Sequence, residues 1–75
     1  MQKNIESPSY GFAIIGTGAI AHIHAKVIQT IIGATLVGVY NRTLATAQDF
    51  AEKYNCIAYQ SLTEMLENQQ ISIIC

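Results

Sequence analysis

The chain has no tryptophan, a single proline (Pro8) and only two cysteines, Cys56 and Cys75. Those cysteines stand 19 positions apart, with no C-x-x-C pair and no paired histidines at ligand spacing, so neither a zinc site nor a disulfide framework is indicated. Buried free thiols in a reducing compartment are the expectation. Charge is scarce as well: 12% of residues are Asp, Glu, Lys or Arg, against about 25% in soluble domains. With four Lys plus Arg and a net charge of −1, there is no basic stripe for nucleic acid or an anionic membrane, and neither partner is expected. Long apolar runs are missing too, because Asn41, Arg42, Asp49 and Glu52 interrupt every stretch that might approach the ~18 residues of a membrane span. The start, MQKNIESPSYG, has one lysine and no apolar signal-peptide core, which points to a soluble, cytoplasmic protein.

What is present is mostly apolar. Hydrophobic residues make up 51% of the 75, and a domain of this size buries only about 60% of the surface its unfolded chain exposes. A cleft between two domains cannot be built from it. So many apolar residues with so few charges imply surface that expects a cover, which points to a segment of a longer protein.

Residues 1–9 are polar and lack any period, and read as a flexible arm; residues 10–75 read as ordered. Phe12–Ile15 is a continuous apolar run bounded by glycines, suited to a strand covered on both faces. From Ala19, Ile20, Ile23, Val27 and Ile31 recur at steps of three and four, predicting an amphipathic helix with that stripe buried and Gly33 as its end. Thr35–Tyr40 is a second β-rich run, and Thr43 is the expected N-cap of a second helix with Ala47, Phe50, Ala51 and Tyr54 on its buried face. A short strand, Ile57–Tyr59, precedes the capping box Ser61-Leu62-Thr63-Glu64, a third helix to about Asn68 and a last apolar strand, Ile71–Cys75. Strands alternating with helices give an α/β fold, a doubly wound parallel sheet with right-handed crossovers, most simply in the order 3-2-1-4. The last strand would then form an uncharged apolar edge, which again suits a truncated domain.

The stretch FAIIGTGAIA organises this pattern. The spacing Gly16, Gly18, Ala21 fits G-x-G-x-x-G/A: Gly16 permits a tight turn, Gly18 lets a pyrophosphate reach the backbone, and small Ala21 lets helix and strand pack closely. The motif follows a predicted strand, opens a predicted helix, and lies in a βαβ unit whose second strand ends 24 residues after Gly16. That context gives the fingerprint of a Rossmann-like dinucleotide-binding unit. At the end of the second strand, where an acid would hold the ribose hydroxyls of NAD, stands Asn41, followed by Arg42 and Thr43. A neutral amide does not repel a 2′-phosphate and a guanidinium can pair with it, so NADP is slightly favoured over NAD. Arg42 as a solvated turn residue, or stacked flat on adenine, would serve either cofactor.

Other candidates carry less. His22 and His24 are two apart on a helix and point to different faces, so they share no metal. His22 is expected to be solvated, and His24 packed or hydrogen-bonded near the helix start. Tyr40, Tyr54 and Tyr59 read as core or rim, and Glu64 and Glu67 as a cap and a solvated charge. No catalytic set can be assembled.

The segments GTGAIAHIHAKVI, LVGVYNRT, AQDFAEKYN and AYQSLTEMLENQQISIIC together resemble the N-terminal half of the glucose-fructose oxidoreductase, inositol dehydrogenase and MocA-like (Gfo/Idh/MocA) family. The marks are Ile20-Ala21 with His24 three residues on, the strand ending in Asn41-Arg42, the Phe50-Ala51 pair, and Tyr59, Ser61 and Leu62 leading into the third helix. The resemblance implies an NAD(P)-dependent oxidoreductase exchanging a hydride between nicotinamide and a sugar, cyclitol or similar hydroxylated small molecule, as a homo-oligomer. It places the pyrophosphate on Gly16, Thr17, Gly18, Ala19 and Ile20 and the adenosine ribose on Asn41, Arg42 and Thr43. The family's loop after the fourth strand, its Glu-Lys-Pro segment with the lysine that assists proton transfer, and its C-terminal substrate domain have no counterpart in this chain, so this chain alone is expected to be inactive. Two other readings stay open: a non-catalytic nucleotide-sensing module and, less well suited by the helical spacing and Arg42, an S-adenosylmethionine-binding methyltransferase domain.

Overall fold

The computed structural model describes residues 9–75, so the arm expected over residues 1–9 lies outside the described residues except for Ser9. Strand and helix alternate as β1 (Tyr10–Ile15), α1 (Ala19–Ile28), β2 (Ala34–Tyr40), α2 (Leu44–Tyr54), β3 (Ile57–Tyr59), α3 (Leu62–Glu67) and β4 (Ile73–Ile74). All pairings are parallel and the sheet order is β3-β2-β1-β4, the doubly wound order expected. β1 is central because its apolar run can be covered on both faces, and Ala13 and Ile14 are buried.

One core lies between the sheet and two helices. Ile14, Leu36 and Val39 meet Ala21, Ala25 and Ile28 of α1 and Ala47, Phe50, Ala51 and Tyr54 of α2. The α2 stripe is the predicted one. The right-handed return from β3 to β4 reverses direction across the sheet, so α3 covers the other face, where Met65 is fully buried.

The structure corrects the reading of α1. Ile20, Ile23, Val27 and Ile31, expected inside, are 65%, 54%, 51% and 48% exposed, while Ala21, Ala25 and Ile28 face the sheet. Both stripes have helical spacing. The alanines win the sheet face because they let the helix axis approach closely, and the bulkier residues are left on its flank. The helix also stops at Ile28, capped by Gln29, rather than at Gly33, whose φ of +88° instead shapes the turn into β2.

Two tight contacts fix the strands. Pairing of β1 with β2 shifts between Phe12 and Ala13, leaving Val37 as an extra residue in β2, and Leu36 and Val39 thereby join the same core. Beyond the shift, a Cβ on Gly38 would stand 2.5 Å from the Tyr59 ring. At the start of β1, a Cβ on Gly11 would stand 1.7 Å from the Gln70 carbonyl oxygen, because the loop into β4 passes directly over that glycine. β4 is secured by Ser72 N–H to Gly11 O (2.8 Å), Cys75 N–H to Ala13 O (2.9 Å) and Ile15 N–H to Cys75 O (3.0 Å).

Both cysteines are free, but neither is fully buried as expected: Cys75, just past the end of β4, is exposed, whereas Cys56 is half-buried and burial pushes its thiol up to about 11. Two outcomes follow. Gly11→Ala should lower stability by about 2 kcal/mol in urea melts, since loop backbone must move; Gly18→Ala, with nothing within 4 Å of its Cβ position, should cost less than about 1 kcal/mol. Between about pH 9 and about pH 11 the unfolded chain releases the Cys56 proton while the folded chain retains it, so stability should fall with rising pH more steeply in the wild type than in Cys56→Ala, read from melting temperatures.

Candidate functional site

The carboxyl edge of a parallel sheet receives the N-terminus of every helix that follows a strand, and here β1 and β2 deliver two of them side by side. The Gly16 N–H donates to the Tyr40 carbonyl at 2.8 Å, pinning the turn after β1 to the end of β2. Gly16 has a φ of +102°, which a side chain would strain, and Gly18 is the extended N-cap of α1. Ala21 and His22 both donate to the Gly18 carbonyl, at 3.0 and 3.2 Å, while the amides of Ala19 and Ile20 find no acceptor among the described residues. No acidic side chain occupies the first turn, and the space next to both glycines is open to 4 Å. A mouth of bare amides at the positive end of a helix suits an anion, and the room left by the missing Cβ atoms suits one as bulky as a pyrophosphate.

The second mouth follows β2. Asn41 is half-buried and Arg42 and Thr43 are exposed. Thr43 is the N-cap of α2, as expected, but only through its backbone: its carbonyl accepts from Ala47 N–H at 3.2 Å, and its hydroxyl makes no capping bond. Asn41 Nδ2 reaches the Thr43 carbonyl at 3.4 Å. The first turn of α2 also lacks an acid. At α3, by contrast, the Ser61 hydroxyl accepts from Glu64 N–H at 3.3 Å, half of the reciprocal capping box, and this end is closed.

The histidines differ from expectation. His22 is not solvated: it is half-buried, its Nδ1 lies 2.7 Å from the Tyr54 hydroxyl, and its ring centroid is 4.7 Å from that of Phe50. His24, expected to be packed or hydrogen-bonded, is exposed and its side chain makes no hydrogen bond among the described residues. Tyr54 is buried; Tyr40 and Tyr59 are half-buried, the Tyr59 hydroxyl accepting from Asn68 Nδ2 at 2.8 Å. His22, 32 positions from Tyr54, had no sequence signal beyond the aromatic pair Phe50 and Tyr54 on one helical face. Beside the first mouth a groove of about 180 Å³ is lined by Thr17, His22, Thr46, Asp49, Phe50 and Lys53. A larger hollow, about 490 Å³, lies among Ser9, Gly11, Thr35 and Gln70 at the opposite, starting end of the strands, and its lining holds no charged group. Among the described residues there is no cluster of potential metal ligands, and no helix is long and apolar enough to cross a membrane.

Comparison with known proteins gives a consistent result. The family model described as "Oxidoreductase family, NAD-binding Rossmann fold" matches residues 10–75. Glucose-6-phosphate 3-dehydrogenase of Bacillus subtilis is 33% identical over 61 residues, 81% of this chain but 17% of that enzyme, so the chain spans less than a fifth of its relative's length. Among solved structures, the WlbA dehydrogenase of Chromobacterium violaceum, in complex with NADH and UDP-GlcNAcA, superposes with a TM-score of 0.80 at 25% identity, over 99% of this chain and 22% of that one. The fold recurs in KijD10, a 3-ketoreductase of Actinomadura kijaniata in complex with NADP, with a TM-score of 0.80 at 15% identity, over 88% of this chain and 21% of that one. The bare glycine turn, the strand order and these matches together establish that the chain belongs to the Gfo/Idh/MocA oxidoreductase family, as part of its NAD-binding Rossmann domain.

Proposed function

We propose that this chain binds the adenosine diphosphate half of a nicotinamide dinucleotide, as the cofactor-holding segment of an oxidoreductase acting on a sugar, cyclitol or similar hydroxylated small molecule. The observation that carries the reading is the open α1 mouth: two unpaired amides beside a positive-φ glycine, pinned against the end of β2. Gly16, Thr17, Gly18, Ala19 and Ile20 would surround the pyrophosphate, while Asn41, Arg42 and Thr43 would meet the adenosine ribose. The nicotinamide, when bound, supplies hydride exchange with a carbon bearing a hydroxyl. The chain's own part is to bind and orient the cofactor; proton transfer and substrate recognition belong to a second domain, for which the relative's greater length leaves room. A homo-oligomeric assembly belongs to the same proposal and is supported by the family resemblance.

NADP is the favoured cofactor. The edge of β2 offers no carboxylate to repel a 2′-phosphate, Arg42 is exposed next to it, and the uncapped first turn of α2 adds the positive end of a second helix. Two measurements test this. Gly18→Ala should weaken both NADP and NAD by about tenfold in calorimetric titrations while folding normally, because its methyl fills the cradle. Arg42→Ala should weaken NADP by about tenfold and leave NAD within about twofold; equal losses for the two cofactors would remove the assignment of the 2′-phosphate to Arg42.

A further inference from the structure

We propose that His22 is a positioning residue for the dinucleotide: its bond to Tyr54 sets the distance between the pyrophosphate mouth on α1 and the ribose mouth at the start of α2. This rests on the cofactor reading above. A ligand that spans two subsites binds tightly only while their separation is held, since each subsite presents the second part of the ligand at high local concentration. Whatever fixes α1 against α2 therefore acts on affinity without touching the ligand.

Both helices lie on the same face of the sheet, over one core. Among the described residues, side-chain hydrogen bonds join them at two points, both on Tyr54, the last residue of α2. The Tyr54 hydroxyl meets His22 Nδ1 at 2.7 Å, and the Tyr54 carbonyl accepts from Gln29 Nε2 at 2.7 Å. Gln29 caps the far end of α1; His22 stands at its mouth, where the His22 N–H closes the first turn on the Gly18 carbonyl. Displacement of the His22 side chain therefore bears on the backbone that presents the unpaired amides. Between the two helices near this mouth lies the open groove, rather than direct packing, which leaves the ring of His22, against Phe50 and Tyr54, to carry the link.

Asp49 and Lys53 of α2 line the same groove. A phenol both donates and accepts, so Tyr54 can bond either tautomer of His22.

The test is a double-mutant cycle of His22→Phe and Tyr54→Phe, each of which keeps an aromatic ring and removes the bond. Affinity for NADP is measured by calorimetry, and affinity for inorganic pyrophosphate, which reaches the α1 mouth alone, by amide chemical-shift titration. Each single variant should weaken NADP about fivefold, the double variant no further than either, and pyrophosphate by less than about twofold. His22→Asn, whose amide can reach the position of Nδ1, should restore part of the loss. Unchanged NADP affinity in both single variants, additive losses, or an equal loss for pyrophosphate would overturn the proposal. If the wild-type chain bound neither NADP nor NAD, the cofactor reading would fail and take this inference with it; wild-type binding with unaltered variants removes only the spacer.

Discussion

A helix can offer its unpaired amides to the carboxyl edge of a parallel sheet only if it lies low on that sheet. In this chain the constraint is met by Ala21 and Ala25, buried to 3% and 0% exposure against Ile14 and Val39. A larger residue at either position would raise the helix axis, and the mouth at Gly18 would lift away from the end of β2. The bond from Gly16 N–H to the Tyr40 carbonyl reports the same closeness from the turn side. Packing and recognition are thus one requirement, and the small residue of the glycine fingerprint serves the first so that the glycines can serve the second.

Electrostatics at this edge is arranged by omission. Three helices begin at the carboxyl ends of their preceding strands, and in two of them no acid or side-chain cap offsets the positive end. The third, α3, carries Ser61 and Glu64 in its first turn and is closed. The positive helix ends are thereby left uncompensated on the half of the edge formed by β1 and β2. The scarcity of charge in the chain as a whole sharpens this preference, because backbone dipoles compete with few nearby side-chain charges.

Much of this was legible in the sequence. The alternation of apolar runs with helical patterns gave the strand order, because right-handed crossovers leave few alternatives. The α2 face could be read from Ala47, Phe50, Ala51 and Tyr54, since no rival stripe shares that helix. The α1 face could not: Ile20, Ile23, Val27 and Ile31 are more hydrophobic than Ala21 and Ala25, which share the sheet face with Ile28, and only the depth of the helix on the sheet reverses the order. The glycine turn was legible because its conformational demands are local. The seat of His22 was not, since it depends on Tyr54, which reaches it only once the sheet has formed.

The extra residue in β2 also decides which way the end of that strand faces. Side chains along a strand alternate between its faces, yet Leu36 and Val39, three positions apart, join one core because the pairing steps over Val37. Val39 thereby stays level with Ile14, its partner in β1, against the helices. Paired without that step, the same letters would turn Val39 and everything after it, Asn41 and Arg42 included, to the opposite face, so a single doubled residue keeps the outlet of the sheet in phase with its core.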